Sequence, residues 1–169
     1  MRSRFGIDGL ALKWFESYLS NIRSCVRVQG GISSSRLFQC GVLQGSVLGP
    51  ILFLIYTSPI GDILRRHAID FHLYADDTQL YISFETSSVA EFEAAKLKVE
   101  SCVGEIDEWM SRNKLKLNTD KTEVLVLSAA HRPRPPLKRF TFSDNDICPA
   151  STVRDIGVIL DEKLSLENQ

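Results

Sequence analysis

The chain has 169 residues, 44% hydrophobic and 24% charged, which is enough for one domain with a sizeable core and excludes wholesale disorder. Its longest apolar run, Val47-Leu48 followed by Ile51 to Tyr56, is far too short to cross a bilayer. The N-terminus, with Arg2, Arg4, Gly6, Asp8 and Gly9, lacks the apolar stretch of a secretory signal, so an intracellular protein with no membrane partner is expected. Cys25, Cys40, Cys102 and Cys148 form no Cys-x-x-Cys pair and no zinc spacing, and are expected to be free structural thiols.

In chain order, Leu10, Trp14, Phe15, Tyr18 and Leu19 recur at helical spacing after Asp8-Gly9, which predicts an amphipathic helix over 9–20. Cys25 to Val28 and Arg36 to Cys40 read as two strands joined by a Gly/Ser turn across Gly30 to Ser35. A glycine-rich stretch from Gly41 to Pro50 leads into an apolar helix from Pro50 to Tyr56, where proline is tolerated because first-turn amides lack partners anyway. Pro59 is expected to end that helix early. Phe71 to Ser83 predicts a hairpin. Ser88-Val89-Ala90-Glu91 is a capping box opening a long helix towards Asn113, with Phe92, Val99, Val103, Ile106, Trp109 and Met110 on its inner face. Leu115 to Leu117 and Thr122 to Leu127 alternate about Asn118 to Lys121 as a second hairpin or strand pair, and Arg132 to Pro136 reads as a loop. Phe140 to Phe142, Ile147 and Val158 to Leu160 supply the last strands. This mixture predicts an α+β domain, an antiparallel sheet with helices on one face.

The net charge of −1 conceals a segregation of sign. Residues 1–50 carry six Lys/Arg against two Asp/Glu, residues 61–110 four against eleven, and residues 111–140 eight against two. Basic segments flanking an acidic centre suit a protein that grips phosphates around carboxylate-held metal, although charge blocks also occur on plain solvated surfaces.

The chemistry is concentrated in Asp76 and Asp77, at the turn of the Phe71–Ser83 hairpin. One reading is that they cap the turn. Against it, adjacent carboxylates repel, and Ala75-Asp76-Asp77 has no glycine for the positive φ that hairpin turns favour. A hard divalent cation that takes carboxylate oxygens would neutralise the pair.

Several motifs then resemble one family at once. Tyr74-Ala75-Asp76-Asp77 resembles the reverse transcriptase signature, in which tyrosine and one variable residue precede two aspartates. Gly41-Val42-Leu43-Gln44-Gly45-Ser46-Val47-Leu48-Gly49-Pro50 resembles the glycine-glutamine-glycine motif before a palm helix, at matching spacing. Leu115-Lys116-Leu117-Asn118 with Lys121-Thr122-Glu123 is similar to the next motif of the non-LTR (LINE-type, jockey-like) retrotransposon branch. Ile156 to Asp161 resembles that family's strand pair at the palm–thumb border.

The resemblance implies a palm-like antiparallel sheet packed on helices, with fingers and thumb missing. It makes residues 1–169 a partial reverse transcriptase domain, 1–130 its core palm and 131–169 the palm–thumb border. It implies RNA-directed DNA polymerase chemistry, a two-metal nucleotidyl transfer to a primer 3′-OH. Asp76 and Asp77 would be catalytic ligands of Mg²⁺ or Mn²⁺. The implied partners are an RNA template, a DNA primer, dNTPs and the remainder of the parent polypeptide. Gln44, Gly45 and Ser46 would lie against the template or incoming nucleotide, glycine because a Cβ would intrude there. Turn and helix-start roles would explain the same residues. Lys121 would meet the triphosphate or protonate the leaving pyrophosphate, or be an ordinary surface lysine.

Departures from the family pattern are Leu43 where proline is usual, Thr57-Ser58-Pro59-Ile60 in place of a more usual Ile-Asn-Asp-Leu-like run, and a further aspartate-bearing strand that these residues do not supply. Two readings follow: a polymerase domain incomplete and inactive as these residues alone, or a non-catalytic nucleic-acid-binding remnant or gene fragment without selected function.

Overall fold

The computed structural model describes residues 1–38, 40–41, 45–85, 87–128 and 138–165. They fall into two units, Met1–Ser58 and Pro59–Gln169. No helix among the described residues is long and apolar enough to cross a membrane.

In the first unit a single turn, α1 (Arg2–Phe5), is ended by Gly6 in the left-handed region. The predicted amphipathic helix is α2 (Gly9–Leu19), entered from extended Asp8. Its aromatic residues pack on one another: the Trp14 ring stacks on Tyr18 and meets Phe15 edge-on, both at 5.2 Å. The next hairpin departs from expectation. It consists of β1 (Arg23–Ser24), β2 (Arg27–Val28), β3 (Gly31–Ile32) and β4 (Arg36–Leu37), with β1 pairing β4 and β2 pairing β3. The turn is Gln29-Gly30, both at positive φ, so Gly31 and Ile32, expected within the turn, form strand instead. Two positive-φ residues make the tight turn that matches strand twist, and Gln29-Gly30 achieves it with one glycine. Then α3 (Gly49–Thr57) runs with Pro50 in its first turn and ends where Pro59 stops it.

The second unit opens on a helix that periodicity did not announce, α4 (Pro59–Arg66), burying Ile60, Ile63 and Leu64. The predicted hairpin follows as β5 (Asp70–Tyr74) and β6 (Asp77–Tyr81), antiparallel over five residue pairs. α5 (Val89–Arg112) begins as expected: the Ser88 hydroxyl accepts from the Glu91 amide at 3.2 Å. The Glu91 carboxylate reaches beyond the box to accept from the Glu85 amide at 3.0 Å. After α5 the expected strand pair about residues 118–121 is absent. Thr119–Lys121 is a 3₁₀ turn, held by the Thr122 amide on the Thr119 carbonyl and the Thr122 hydroxyl on Asn118. That local bonding folds the chain into a helical turn, and Leu125 bridges in parallel to Ala150 instead. The Arg132–Pro136 loop lies outside the described residues. The C-terminal strands form two hairpins, β7 (Phe140–Phe142) with β8 (Asn145–Ile147), and β9 (Thr152–Asp155) with β10 (Val158–Asp161).

The class is α+β, but the expected single sheet is not formed: the described strands make five separate two-stranded antiparallel ladders. What unites the second unit is α5. One cluster joins Ile60, Ile63, Leu64 and Ile69 to Cys102 and Ile106; a second joins Phe92 and Val103 to Phe140 and Phe142. Val99 of α5 and Leu80 of β6 pack against both clusters. Phe92 and Trp109, expected as core residues, do face this core.

Polar contacts on α5 fix its neighbours. The Lys98 ammonium donates to the Ala68 carbonyl at 2.7 Å, and Glu105 accepts from Arg66 and bonds His67, the latter at 2.8 Å. These bonds, His67 first and then Arg66, hold the Glu105 carboxyl below its usual range.

Three outcomes follow. Leu64 is fully buried, so Leu64→Ala should cost about 2–5 kcal/mol in urea denaturation. Of four free thiols only Cys102 is buried, and desolvation, reinforced by Glu105, pushes it up to about 11. Titration with a thiol reagent should therefore modify three cysteines in the folded chain and the fourth only after unfolding. Glu105 has a lowered folded-state pKa, so the stability it adds is complete above the ordinary carboxylate range and disappears as pH falls through the lowered value. Glu105→Gln should flatten the acid side of a plot of urea midpoint against pH, leaving the neutral side parallel to that of the unmodified chain.

Candidate active site

The β5–β6 hairpin has two unlike faces because strand residues alternate. Phe71, Leu73 and Leu80 pack against the core. The other face pairs Tyr74 with Asp77, His72 with Gln79, and Asp70 with Tyr81. The core thus fixes a polar surface from beneath, and the register fixes its tip.

Tyr74 and Asp77 close the ladder, so Ala75 and Asp76 alone make the turn. Ala75 takes φ +53°, a conformation that two-residue hairpin turns usually give to glycine or asparagine and that strains a residue with a Cβ. Asp77 is the first residue of β6 rather than part of the turn, and both carboxylates are exposed. Two adjacent, exposed acid groups at a hairpin tip are chemically suited to share a hard divalent cation and leave its other positions to water or phosphate oxygens. No three His, Cys, Asp or Glu side chains among the described residues group closely enough to hold a metal.

The remaining expected site residues are divided between the units. Gln44 lies outside the described residues. Gly45 is exposed at φ +83°, and a Cβ built there would meet nothing within 4 Å. Within this chain its constraint is therefore the left-handed backbone and not crowding. The Ser46 hydroxyl is buried and makes no hydrogen bond among the described residues. Such a hydroxyl forgoes about 1–3 kcal/mol until something bonds it. Lys121, in the second unit with the two aspartates, ends the 3₁₀ turn with its side chain exposed.

Sequence reasoning missed the residues that tie the hairpin's polar face to the C-terminal strands. The Gln79 amide nitrogen donates to the Asp155 carboxylate, and its oxygen accepts from the Tyr81 hydroxyl. Asp155 is 76 residues away in the chain and ends β9, a strand the hydrophobic pattern did not show. Its one sequence signal was Ile156-Gly157 between alternating residues, a turn now seen with both residues at positive φ.

Comparison with known proteins bears on these features. A family model described as reverse transcriptase (RNA-dependent DNA polymerase) matches residues 2–160. The chain is 27% identical over 152 residues to the "Probable RNA-directed DNA polymerase from transposon X-element" of Drosophila melanogaster, covering 89% of this chain and 16% of that protein. It is 34% identical over 112 residues to the corresponding protein from transposon BS of the same species, covering 63% and 12%. It is 27% identical over 158 residues to the RNA-directed DNA polymerase from mobile element jockey of Drosophila funebris, covering 89% and 16%. The chain thus spans about a sixth of these relatives or less. No solved structure matches it. With nearly its whole length matched, the chain belongs to the reverse transcriptase family, on the non-LTR, jockey-like transposon branch.

Proposed function

We propose that this chain is the palm segment of an RNA-directed DNA polymerase, with 1–130 the palm core and 131–169 the palm–thumb border. In this reading, nucleotidyl transfer to a primer 3′-OH on an RNA template takes place at Asp76 and Asp77. The observation that carries it is the adjacent pair of exposed carboxylates at a strained hairpin tip, Asp76 in the turn and Asp77 opening β6, backed by a hairpin face packed into the core. Strain of this kind at an exposed acidic tip suits a site whose geometry matters more than its local stability.

Asp76 and Asp77 would hold Mg²⁺ or Mn²⁺, which when bound supplies charge neutralisation for the transferring phosphoryl group and activates the attacking hydroxyl. The residues of this chain do the positioning. Packing of Phe71, Leu73 and Leu80 keeps the tip from tilting. Gln79 fixes the polar face against Asp155. Gln44 and Gly45 would lie along the template or incoming nucleotide, and the unbonded Ser46 hydroxyl would take a hydrogen bond from or to it. Lys121 would meet the triphosphate. Phosphoryl transfer depends almost wholly on such positioning. Two carboxylates without a third gathered beside them among the described residues bind a six-coordinate ion weakly. The 169 residues alone are therefore inactive, and the polymerase is complete only with the rest of the parent polypeptide.

The test has two parts. Mn²⁺ binding to the 169-residue chain, followed by electron paramagnetic resonance, should be millimolar, about 4 kcal/mol, and Asp76→Asn should weaken it about tenfold, ~1.4 kcal/mol. Labelled-primer extension on an RNA template should be undetectable for this chain. It should appear when the missing parts of the parent polypeptide are supplied, and vanish again with Asp76→Asn. Extension by the 169 residues alone would refute their incompleteness; extension by the completed Asp76→Asn polypeptide would refute the site.

A further inference from the structure

The described arginines differ in what they touch. In the second unit Arg65, Arg66, Arg112 and Arg139 each lie within ion-pair distance of a carboxylate, Asp62, Glu105, Glu108 and Asp146 respectively, whereas Arg154 of β9 is exposed with no ion pair among the described residues. In the first unit Arg23, Arg27 and Arg36 all stand on the β1–β4 hairpin. Every residue of its four short strands is exposed. None of these three guanidinium groups has a hydrogen bond, ion pair or ring contact among the described residues. The sequence gives them no internal counter-charge either, because no Asp or Glu occurs between Glu16 and Asp62.

The hairpin is also a built support. Gln29 and Gly30 at φ +47° and +86° give the tight two-residue turn that holds paired strands in register. Where the two ladders are interrupted, Val26 and Ser33 bond each other twice. The Ser33 amide donates to the Val26 carbonyl at 2.9 Å, and the Val26 amide donates to the Ser33 hydroxyl at 2.9 Å. The Phe38 amide closes the base on the Ile22 carbonyl at 2.7 Å. Arg23 and Arg27 are four strand positions apart, on the order of 13 Å. Arg36 stands opposite Ser24 across the ladder, so it lies on the face of the ribbon turned away from Arg23 and Arg27.

From this we infer that the β1–β4 hairpin is a phosphodiester-binding element that holds a nucleic-acid strand on one face through Arg23 and Arg27, without a metal ion. Guanidinium groups present planar paired donors to phosphate oxygens, and a strand carries several phosphates over the length these two span. Contacts to phosphate alone carry no base preference. The inference rests on the proposed function for the kind of partner, a nucleic acid, and deepens it by naming where the strand is held.

The experiment measures binding of the full 169-residue chain to fluorescent 20-nucleotide RNA and DNA strands of mixed sequence, in EDTA, across a salt series. Both strands should bind, and the logarithm of the affinity should fall linearly with the logarithm of salt. Replacing Arg23 and Arg27 together by Gln should lower that slope by about 1.4, near 0.7 per lost contact, and reduce affinity at least tenfold at low salt. A charge-matched variant with Arg65 and Arg112 changed to Gln should keep most of the slope. Phenylglyoxal modification of the unmodified chain, read by mass spectrometry, provides a second measurement independent of variant folding. A bound strand should slow reaction at Arg23 and Arg27 at least fivefold while leaving Arg65 unaffected. Equal slope losses in the two double variants, or Arg23 and Arg27 as reactive in the complex as in the free chain, would overturn the inference. So would tighter binding to anionic lipid vesicles than to either strand. Binding that survives Asp76→Asn while the completed polypeptide fails to extend primers would remove the polymerase reading and leave the hairpin inference intact.

Discussion

The buried core of the second unit depends on one helix having a place to bury its apolar face. The buried side chains of α5 recur at Phe92, Ala95, Cys102, Val103 and Ile106, a stripe wide enough to serve two partners at once. One side takes α4 and the β5–β6 hairpin; the other takes the β7–β8 hairpin. Two-stranded ladders this short are marginal in isolation. Their stability comes from laying one face on α5, and this is why a unit without a continuous sheet still has a continuous core.

The same arrangement explains how a hairpin tip bearing two like charges is held. An exposed acidic pair on a hairpin tip gains nothing from burial, and Ala75 adds backbone strain. The opposing force acts from a distance: Phe71, Leu73 and Leu80 anchor the hairpin's other face, and α5 clamps the connection into β5 through Lys98 on Ala68 and Glu105 on His67. Stability and chemistry are thus assigned to opposite faces of one pair of strands.

Much of this was legible in the sequence where a signal was local. The capping residue Ser88, the stripe on α5, the β5–β6 hairpin and its acidic tip follow from spacing and turn chemistry. The family could be recognised from Tyr74 to Asp77 together with the Gly41–Pro50 stretch. What failed was non-local or too short. β9 has too few residues for its alternation to register, and the link from Gln79 to Asp155 spans most of the second unit. The expected strand pair after α5 failed because Thr119 and Thr122 offered local bonds that won over alternation. α4 was overlooked although its ends were marked: Pro59 at its first position, Asp62 in the first turn, Arg65 and Arg66 in the last are the charge order a helix dipole favours. Charge segregation was visible from the start, but which arginines were already paired could only be seen once the chain was folded.

The Gln79 side chain has a consequence for how freely this sequence can drift. It gives a hydrogen bond at one end, to Asp155, and receives one at the other, from Tyr81. Glutamate would set a second negative charge against Asp155. Lysine would satisfy Asp155 and leave the exposed tyrosine hydroxyl to water, and leucine would abandon both. Asparagine keeps the order of donor and acceptor but is a methylene too short to span the same gap. Position 79 is consequently tied to a partner 76 residues away, although nothing in the local sequence marks it as constrained.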